Sequence, residues 1–453
     1  MKRLIFFLFS LLIFTNCSFD NKTGIWKNAE DIVEKKKQIK SEELIDIFVE
    51  NKVFYEEKKN NNNIKINIES DFKNSNWSDE FFNLSNNIPN INYKNNKILV
   101  SKILSISKLN NSKDRLIRPL IHNQKIIFSN NKGVIFVFSL KTYKKVFEFN
   151  FYKKKHKKFK KEVYLVIKDN IIYATDNLGY MYAINMENQQ IVWAKNFGIP
   201  FRSNIKIKDN LLFSSNQENE LLSINLFNGE KIWQFQTTPQ LLKSSFINNI
   251  LVDKINDNIF FLNNYGELYS VNYKTRGINW FKAFKTFSSE NKNDLFIGTP
   301  LSLKSNSLVF STGKTITNVD AISGSIIWTK NIPSKVKPIL TDKHMFIISD
   351  NKLLICINNI SGEVVWSTNI VKRSNEKVSK SNYKNLDFIK RILIVDGKLF
   401  LFSDAGFLLT FNTQNGNLIS LDKILKKKLG SQPIFSEGNM YLFNKKSQLF
   451  KFE

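Results

Sequence analysis

Apolar residues in this chain occur in short runs that alternate with polar residues. Runs such as KIIFS, NIIYATD, GYMYAINM and KLFLFSD are bounded by Asn, Asp, Gly or Ser. Alternation with a period of two predicts β-strands, and long stretches of helical periodicity are absent from the sequence. We therefore expect an all-β region of about 360 residues that follows a polar N-terminal segment.

The predicted strands form a repeat that is most regular around a Gly turn followed by a Trp. The phrases NLFNGEKIWQF, DAISGSIIWTK and NNISGEVVWST all have this order. Two copies carry Phe147 and Ser420 in place of the Trp, and the last copy, from Pro433, ends before that strand. Eight copies of about 45 residues predict an eight-bladed β-propeller. The Trp residues of the repeat are Trp193, Trp233, Trp280, Trp328 and Trp366.

The incomplete last copy indicates how the ring closes. A four-stranded blade without its outer strand would leave an unpaired edge. The segment KILVSKILSI, residues 97–106, lies just before the first complete copy and is the candidate for the missing strand. We therefore predict that residues 64–453 form the propeller and that an N-terminal strand closes its last blade.

Packing explains the recurring Gly and Trp better than chemistry does. Gly lets the tight turn between the third and fourth strands adopt positive φ. The Trp on the fourth strand can then fill the wedge between neighbouring blades, where burial of each ring contributes a few kcal/mol. We interpret the five Trp residues as structural residues of the repeat.

The first residues of the chain predict export. Two basic residues precede an apolar run, residues 4–14, which is too short to span a bilayer but is typical of a signal peptide. Cys17 resembles the acylated cysteine of a bacterial lipobox, although Phe14 and Asn16 differ from its preferred residues. We expect residues 1–16 to be a signal peptide. A soluble secreted protein with an incidental cysteine is the alternative.

After cleavage, residues 17–63 would form a lipidated polar tether. Ser18 follows the cysteine, and its resemblance to lipoprotein sorting signals implies the periplasmic face of the outer membrane. Export argues against nucleic acid as a partner for the formal net charge of +27. Lys and Asn are abundant throughout, which favours compositional drift over selection for an anionic partner.

Few residues suit catalysis or metal binding. Cys17 and Cys356 are the only cysteines, too few for a disulfide framework or a zinc site. His122, His156 and His344 lack metal-ligand spacing, and we expect them at the surface or in turns. We therefore expect no metal, no cofactor and no catalytic residue.

The phrases YMYAINMENQQIVWAKN and VDAISGSIIWTKN resemble the repeat of pyrroloquinoline-quinone (PQQ) enzymes. Two exported families share that repeat: the quinoprotein dehydrogenases and the BamB family, lipoproteins of the outer-membrane β-barrel assembly (BAM) machinery. The eight copies, Cys17 and a Trp-containing N-terminal stretch, NSNWSDEFFN, resemble the BamB family from about Asn76 to the C-terminus. The resemblance implies a non-enzymatic scaffold that docks on the periplasmic domains of the barrel-insertion subunit and aids insertion of nascent barrel proteins.

Two other functions stay open. A PQQ-dependent dehydrogenase would be expected to carry denser Trp and Gly and often an adjacent cysteine pair, and this chain has seven Trp and sixteen Gly. A propeller that binds polysaccharide or lipopolysaccharide would use basic loops such as YKKKHKKFKKE, residues 152–162. An ordinary solvated insertion is the simpler interpretation of that loop.

The stretch NFGIPFRSNIKI, residues 196–207, resembles the inter-blade loop through which the BamB family contacts the barrel-insertion subunit. The resemblance implies apolar contacts from Pro200 and Phe201 and a charge-assisted contact from Arg202. Because Arg is rare in this Lys-rich chain, compositional drift explains Arg202 poorly. An ordinary loop between two blades is the alternative.

Overall fold

A computed structural model describes the chain as two compact units, Met1–Val53 and Phe54–Glu453. In the first unit, β1 (Cys17–Phe19) and β2 (Trp26–Asn28) pair antiparallel. The predicted signal peptide, residues 1–16, and the side chain of Cys17 lie outside the described residues. Apart from β1 and β2, the structure describes residues 53–60, 64–94, 100–105, 116–152, 156–239, 244–284, 295–375 and 388–453.

The second unit is built from eight four-stranded antiparallel sheets, each of which is one blade. Blades 1 to 4 contain β4 (Leu120–His122), β5 (Lys125–Ser129), β6 (Val134–Ser139) and β7 (Lys145–Asn150); β8 (Val163–Lys168), β9 (Ile171–Asp176), β10 (Tyr180–Asn185) and β11 (Ile191–Asn196); β12 (Lys206–Lys208), β13 (Leu211–Ser215), β14 (Glu220–Asn225) and β15 (Lys231–Gln236); and β16 (Asn249–Val252), β17 (Asn258–Leu262), β18 (Glu267–Asn272) and β19 (Ile278–Ala283).

Blades 5 to 8 follow the same order, except that the last blade combines both ends of the propeller. They contain β20 (Ser302–Lys304), β21 (Ser307–Ser311), β22 (Ile316–Asp320) and β23 (Ile326–Lys330); β24 (Ile339–Leu340), β25 (His344–Ile348), β26 (Leu353–Asn358) and β27 (Val364–Asn369); β28 (Ile389–Val395), β29 (Lys398–Ser403), β30 (Phe407–Asn412) and β31 (Leu418–Lys423); and β32 (Ile434–Ser436), β33 (Asn439–Phe443), β34 (Gln448–Phe452) and β3 (Val100–Ser105). The helix α1 (Ile370–Asn375) follows blade 6.

The blades form the predicted eight-bladed β-propeller. First strands of neighbouring blades contact one another around most of the ring, and β32 of blade 8 contacts β4 of blade 1, which closes the ring. The last blade is completed by β3, which pairs antiparallel with β34 from Val100↔Phe452 to Ser105↔Gln448. This confirms the predicted closure by residues 97–106, and the edge that the incomplete eighth copy would expose is paired.

The third and fourth strands of each complete copy share one irregularity. In blade 2 the register shifts after the pair Ala183↔Trp193, and in blade 6 after the pair Cys356↔Trp366. A β-bulge at this point bends the outer strand and increases its twist. The repeat therefore encodes a local bend as well as four strands.

The stretch from residue 72 to 94, here called the plug segment, runs once around the central channel. Its first contact is with blade 8, where the Asn74 side chain donates to the Phe435 carbonyl (2.7 Å), and a bridge between Trp77 and Ile121 of blade 1 follows. It ends at blade 8 again, where the Lys94 amide donates to the Gly438 carbonyl (3.1 Å). The first strand of each blade lines the central channel. Because the plug segment contacts these strands one after another, it lies across the channel. The residues that reach blades 2 to 7, in order, are Asp79, Asn83, Leu84, Ser85, Asn87 and Ile91.

The plug segment contains the stretch NSNWSDEFFN, whose Trp is Trp77. Trp77 does not occupy the position of the Trp residues of the repeat. Trp77 is 1% exposed, and its ring lies 4.8 Å from the Phe82 ring, centroid to centroid. It lies at the innermost strands, whereas the repeated Trp residues lie on outer strands. The two kinds of Trp therefore serve different packing interfaces.

Candidate functional site

Four of the five repeated Trp residues are joined to the next blade by a hydrogen bond. Trp193 lies on β11 of blade 2 and is 7% exposed. Its indole Nε1 donates to the Leu226 carbonyl of blade 3 (2.9 Å). The corresponding bonds are Trp280 to Ala321 (3.1 Å), Trp328 to Asn359 (2.8 Å) and Trp366 to Thr413 (3.0 Å).

The Gly of the next blade lies directly against each of these rings. Gly229 has φ 71°, and a Cβ atom at this position would lie 2.4 Å from the Trp193 ring. The turn therefore needs Gly for its backbone conformation and also for its close approach to the ring. Only the need for positive φ was predictable from the sequence. The other pairs are Gly324 with Trp280, Gly362 with Trp328, and Gly416 with Trp366.

Trp233 is the exception, and the blade that it faces carries the shifted Gly of NYKTRGINW. The positive-φ position of that turn is held by Arg276 (φ 65°), and Gly277 follows it. Trp233 is 9% exposed, and its Nε1 has no hydrogen-bond partner among the described residues. Moving the Gly by one residue thus coincides with loss of the bond that joins the other blades.

The loop after Trp193 is anchored by Phe201. This side chain is 1% exposed and packs edge-to-face on Phe197, with 5.4 Å between ring centroids. Its amide donates to the Asp176 carbonyl (2.9 Å). The expected apolar contact of Phe201 with a partner is therefore corrected: the ring is buried in the core between blades 2 and 3 and fixes the loop.

Pro200 and Arg202, the other two predicted contact residues, are partly exposed on either side of Phe201. The Pro200 carbonyl accepts from the Gln217 amide (2.8 Å), and the Arg202 amide donates to the Ser215 carbonyl (2.9 Å). The Arg202 guanidinium donates to the Ser244 carbonyl in the loop before blade 4. The loop is thus held in one conformation, and its role in binding a partner stays a prediction.

An extended segment of the chain already covers one outer edge of the propeller. Lys58 forms a bridge with Ser367 on β27 of blade 6: the Lys58 amide donates to the Ser367 carbonyl (3.1 Å), and the Ser367 amide donates to the Lys58 carbonyl (2.8 Å). Val365 beside it is 5% exposed, whereas the matching residues Val192 and Ile327 are 46% and 41% exposed. Outer strands elsewhere thus present exposed apolar side chains.

The Lys-rich loop, described at Tyr152 and from His156 to Glu162, packs on the rim of blades 1 and 2. Lys161 is 5% exposed and lies 4.8 Å from the Tyr152 ring centroid. The Tyr152 hydroxyl donates to the Asp176 carboxylate. Among the described residues of this loop, the exposed side chains are those from His156 to Lys160, and binding of an anion there stays a prediction.

Cys356 and His344 are buried strand residues. Cys356 is 0% exposed on β26, and burial raises the pKa of its thiol. His344 is 3% exposed at the start of β25, and burial lowers the pKa of its imidazole. The expectation that the histidines occupy surface or turn positions is therefore wrong for His344. Both side chains are uncharged core groups at neutral pH.

Charged residues meet in the channel, and the sequence analysis missed them. Lys206 is 0% exposed and binds both carboxylate oxygens of Asp79 (2.9 and 2.8 Å), while Arg118 Nε lies 2.9 Å from Glu80. A cavity of about 370 Å³ opens beside Glu80 and Arg118. A basic residue at or just before the first strand in LIRPL, VKPIL and IKRIL was the signal that could have revealed this cluster.

The described residues contain neither a cluster of metal-ligand side chains nor a membrane-spanning helix. No group of three or more His, Cys, Asp or Glu side chains in that part of the chain could hold a metal ion. None of the described helices has the length and hydrophobicity of a transmembrane span.

Comparisons with known proteins identify the repeat. A family model described as outer membrane protein assembly factor BamB matches residues 131–368. The structure of BamB from Moraxella catarrhalis aligns with a TM-score of 0.60 at 11% identity, over 78% of this chain and 100% of that chain. A search of curated protein sequences returned no match.

Other propellers have similar structures. The quinohemoprotein alcohol dehydrogenase from Comamonas testosteroni aligns with a TM-score of 0.59 at 8% identity, over 83% of this chain and 80% of that chain. The computationally designed Ika8 protein aligns with a TM-score of 0.55 at 10% identity, over 78% and 99% of the two chains. Identities this low show the shared fold alone, whereas the family model matches more than half of the sequence. This chain therefore belongs to the family of the outer membrane protein assembly factor BamB.

Proposed function

We propose that this protein is a non-enzymatic scaffold lipoprotein of the BAM complex. It docks on the periplasmic domains of the barrel-insertion subunit and aids the insertion of nascent β-barrel proteins. Acyl chains on Cys17 hold it at the periplasmic face of the outer membrane, and the part of residues 17–63 that precedes the segment on blade 6 provides the tether. The observation that carries this proposal is the family match over residues 131–368.

The outer strands suggest how such a scaffold acts on its substrates. An extended peptide can add to an exposed strand edge through main-chain hydrogen bonds while alternate side chains contact the surface. The bridge between Lys58 and Ser367 is such an addition within this chain. Ile191 and Val192 on β11 and Ile326 on β23 leave comparable apolar edges exposed. Nascent barrel strands have the extended conformation that these edges accept.

Docking is assigned to the loop after blade 2. Pro200 provides a partly exposed apolar contact, and Arg202 provides a charge-assisted hydrogen bond to an acidic group of the barrel-insertion subunit. Phe201 positions both residues from the core. A loop already fixed by hydrogen bonds loses little conformational entropy on binding.

Solution binding tests the proposal. The lipid-free chain from Ser18 is titrated with the soluble periplasmic domains of the barrel-insertion subunit from the same organism. We expect Arg202→Glu to weaken binding by about tenfold or more. Lys231→Glu, an equal charge change at an exposed position of blade 3, serves as the control and should leave the affinity nearly unchanged.

Three outcomes are distinguishable. A selective loss in Arg202→Glu supports both the scaffold function and the docking loop. Equal binding by all three proteins keeps the function and rejects the loop. Absence of binding at high concentration and low salt rejects the scaffold function.

A further inference from the structure

Basic residues from four blades surround the channel. Lys206 belongs to blade 3, and Arg118, Lys337 and Arg391 belong to blades 1, 6 and 7. The last three occupy equivalent positions, each five residues before the turn between the first and second strands. Those turns begin at Asn123, Asp342 and Asp396. The repeat thus places these three cations at one level of the channel.

Two of the four cations are neutralised by the plug segment. Lys206 donates to Asp79 and to the Asn83 carbonyl (2.6 Å). Arg118 binds Glu80 and also approaches Glu162 at the rim (3.6 Å). Both acids that the plug segment brings into the channel are therefore already paired.

Lys337 and Arg391 lack such partners. They are 8% and 7% exposed, and neither has a hydrogen bond or an ion pair among the residues that the structure describes. The acid that acts on Arg391 is Glu80, which Arg118 already binds. The Lys337 amine lies 6.0 Å from the centroid of the Phe81 ring, so it points toward the plug segment. The charged groups that act on Lys337 are Arg391 and Lys206, both cations.

An unpaired buried charge is strongly unfavourable, and two like charges at one level add repulsion. Burial accordingly lowers the pKa of Lys337 well below its ordinary range. An oxyanion between the two groups would offset both costs. A guanidinium offers two parallel N–H donors that match carboxylate or phosphate oxygens, and an ammonium offers a compact positive charge.

We propose that the propeller channel binds a small oxyanion, a phosphate or a polycarboxylate, between Lys337 and Arg391. Phe81 of the plug segment lies between Lys337 and Lys206, 6.0 and 5.7 Å from their amines, and forms an apolar wall of the site. This site is independent of the docking loop and of the outer strands.

Titration of the purified full-length protein with inorganic phosphate at low ionic strength, followed by calorimetry, tests the site. We expect Lys337→Met to weaken phosphate binding by at least about tenfold, because it removes one of two charges in a buried site. Lys343→Gln removes an exposed charge from the same blade and should change the affinity by less than about twofold. Citrate in a parallel titration distinguishes a carboxylate site from a phosphate site.

Arg391→Met is a second variant, and thermal unfolding is a second readout. Without added anion, Lys337→Met should melt at a higher temperature than the wild type, because an uncompensated buried charge is gone. Phosphate should raise the melting temperature of the wild type and leave that of both Met variants nearly unchanged. Equal binding by the wild type, Lys337→Met and Arg391→Met would place the anion on the basic surface and overturn the proposal. Absence of binding for both phosphate and citrate would overturn it as well.

Discussion

Gly362 illustrates how a single residue joins two blades. Its φ is 70°, and a Cβ atom there would lie 2.7 Å from the Trp328 ring of blade 5. We expect Gly362→Ala to lower the free energy of unfolding by about 2–4 kcal/mol, from backbone strain together with overpacking against the ring. Urea denaturation of the purified protein measures this loss.

Gly397 is the matched control. It has the same φ of 70°, and a Cβ atom there would meet nothing within 4 Å. Gly397→Ala should therefore lose only about 1–2 kcal/mol from the left-handed backbone. If both variants lose the same stability, contact with the Trp ring does not explain why the repeat keeps its Gly.

Asp176 makes the stability of blade 2 depend on pH. It is 0% exposed, and burial raises its pKa from 3.8 to about 6. Between pH 3.8 and about pH 6, the folded protein binds more protons than the unfolded chain. The free energy of unfolding therefore increases as the pH falls through this range. Above about pH 6 the ionised carboxylate disfavours the folded state by on the order of 3 kcal/mol.

The variant Asp176→Asn tests this effect. Asp176 accepts hydrogen bonds from the amides of Leu178 and Tyr180, and Asn130, Asn216, Asn263 and Asn444 do the same in four other blades. We expect the variant to be more stable than the wild type at pH 7.5 and to lose about half of this advantage at pH 5. An equal difference at the two pH values would contradict the assignment.

The strands of the propeller were predictable because each copy restates the same local signals. Period-two alternation, a Gly turn and a Trp recur at nearly constant spacing, and the missing outer strand of the last copy indicated β3. The plug segment carries no such period. Its position depends on pairs distant in sequence, such as Asp79 with Lys206, and no local pattern encodes them.

The burial of the candidate contact residues was also not predictable from local sequence patterns. An apolar Phe201 beside a charged Arg202 suits an exposed interface as well as a buried anchor. The choice depends on Phe197 and on the core between blades 2 and 3, which the sequence does not place. The basic residues of the channel were missed because Lys is abundant throughout the chain.

The segment that covers β27 provides a test of strand addition. Lys58→Pro removes the amide that donates to Ser367 and interrupts the bridge. We expect exchange of the Ser367 and Asn369 amides to accelerate about tenfold or more, while global stability changes by less than about 1 kcal/mol. Hydrogen exchange resolved by peptide measures both.

Lys59→Pro is the control for this variant. The Lys59 amide makes no hydrogen bond among the described residues, so its loss should leave the edge of β27 protected. Unchanged exchange in Lys58→Pro would mean that the segment does not hold this edge in solution.

The propeller as a whole separates its surfaces. The plug segment lies across the channel, the loop of Pro200 and Arg202 is adjacent to the turns between second and third strands, and the outer strands face away from the ring. A scaffold needs this separation, because it must hold one partner while another chain binds elsewhere. In the proposed function, docking at the loop would leave the outer edges free for extended substrates.

Docking through the loop after blade 2 can be tested by hydrogen exchange of the full chain, alone and bound to the periplasmic domains of the barrel-insertion subunit. We expect slower exchange on binding in residues 196–202 and in the adjacent turn at 216–219, and no change at the Asp396–Gly397 turn beside the plug segment. Protection confined to other parts of the propeller would contradict the docking surface. Absence of any protected region at saturating partner would contradict the scaffold function itself.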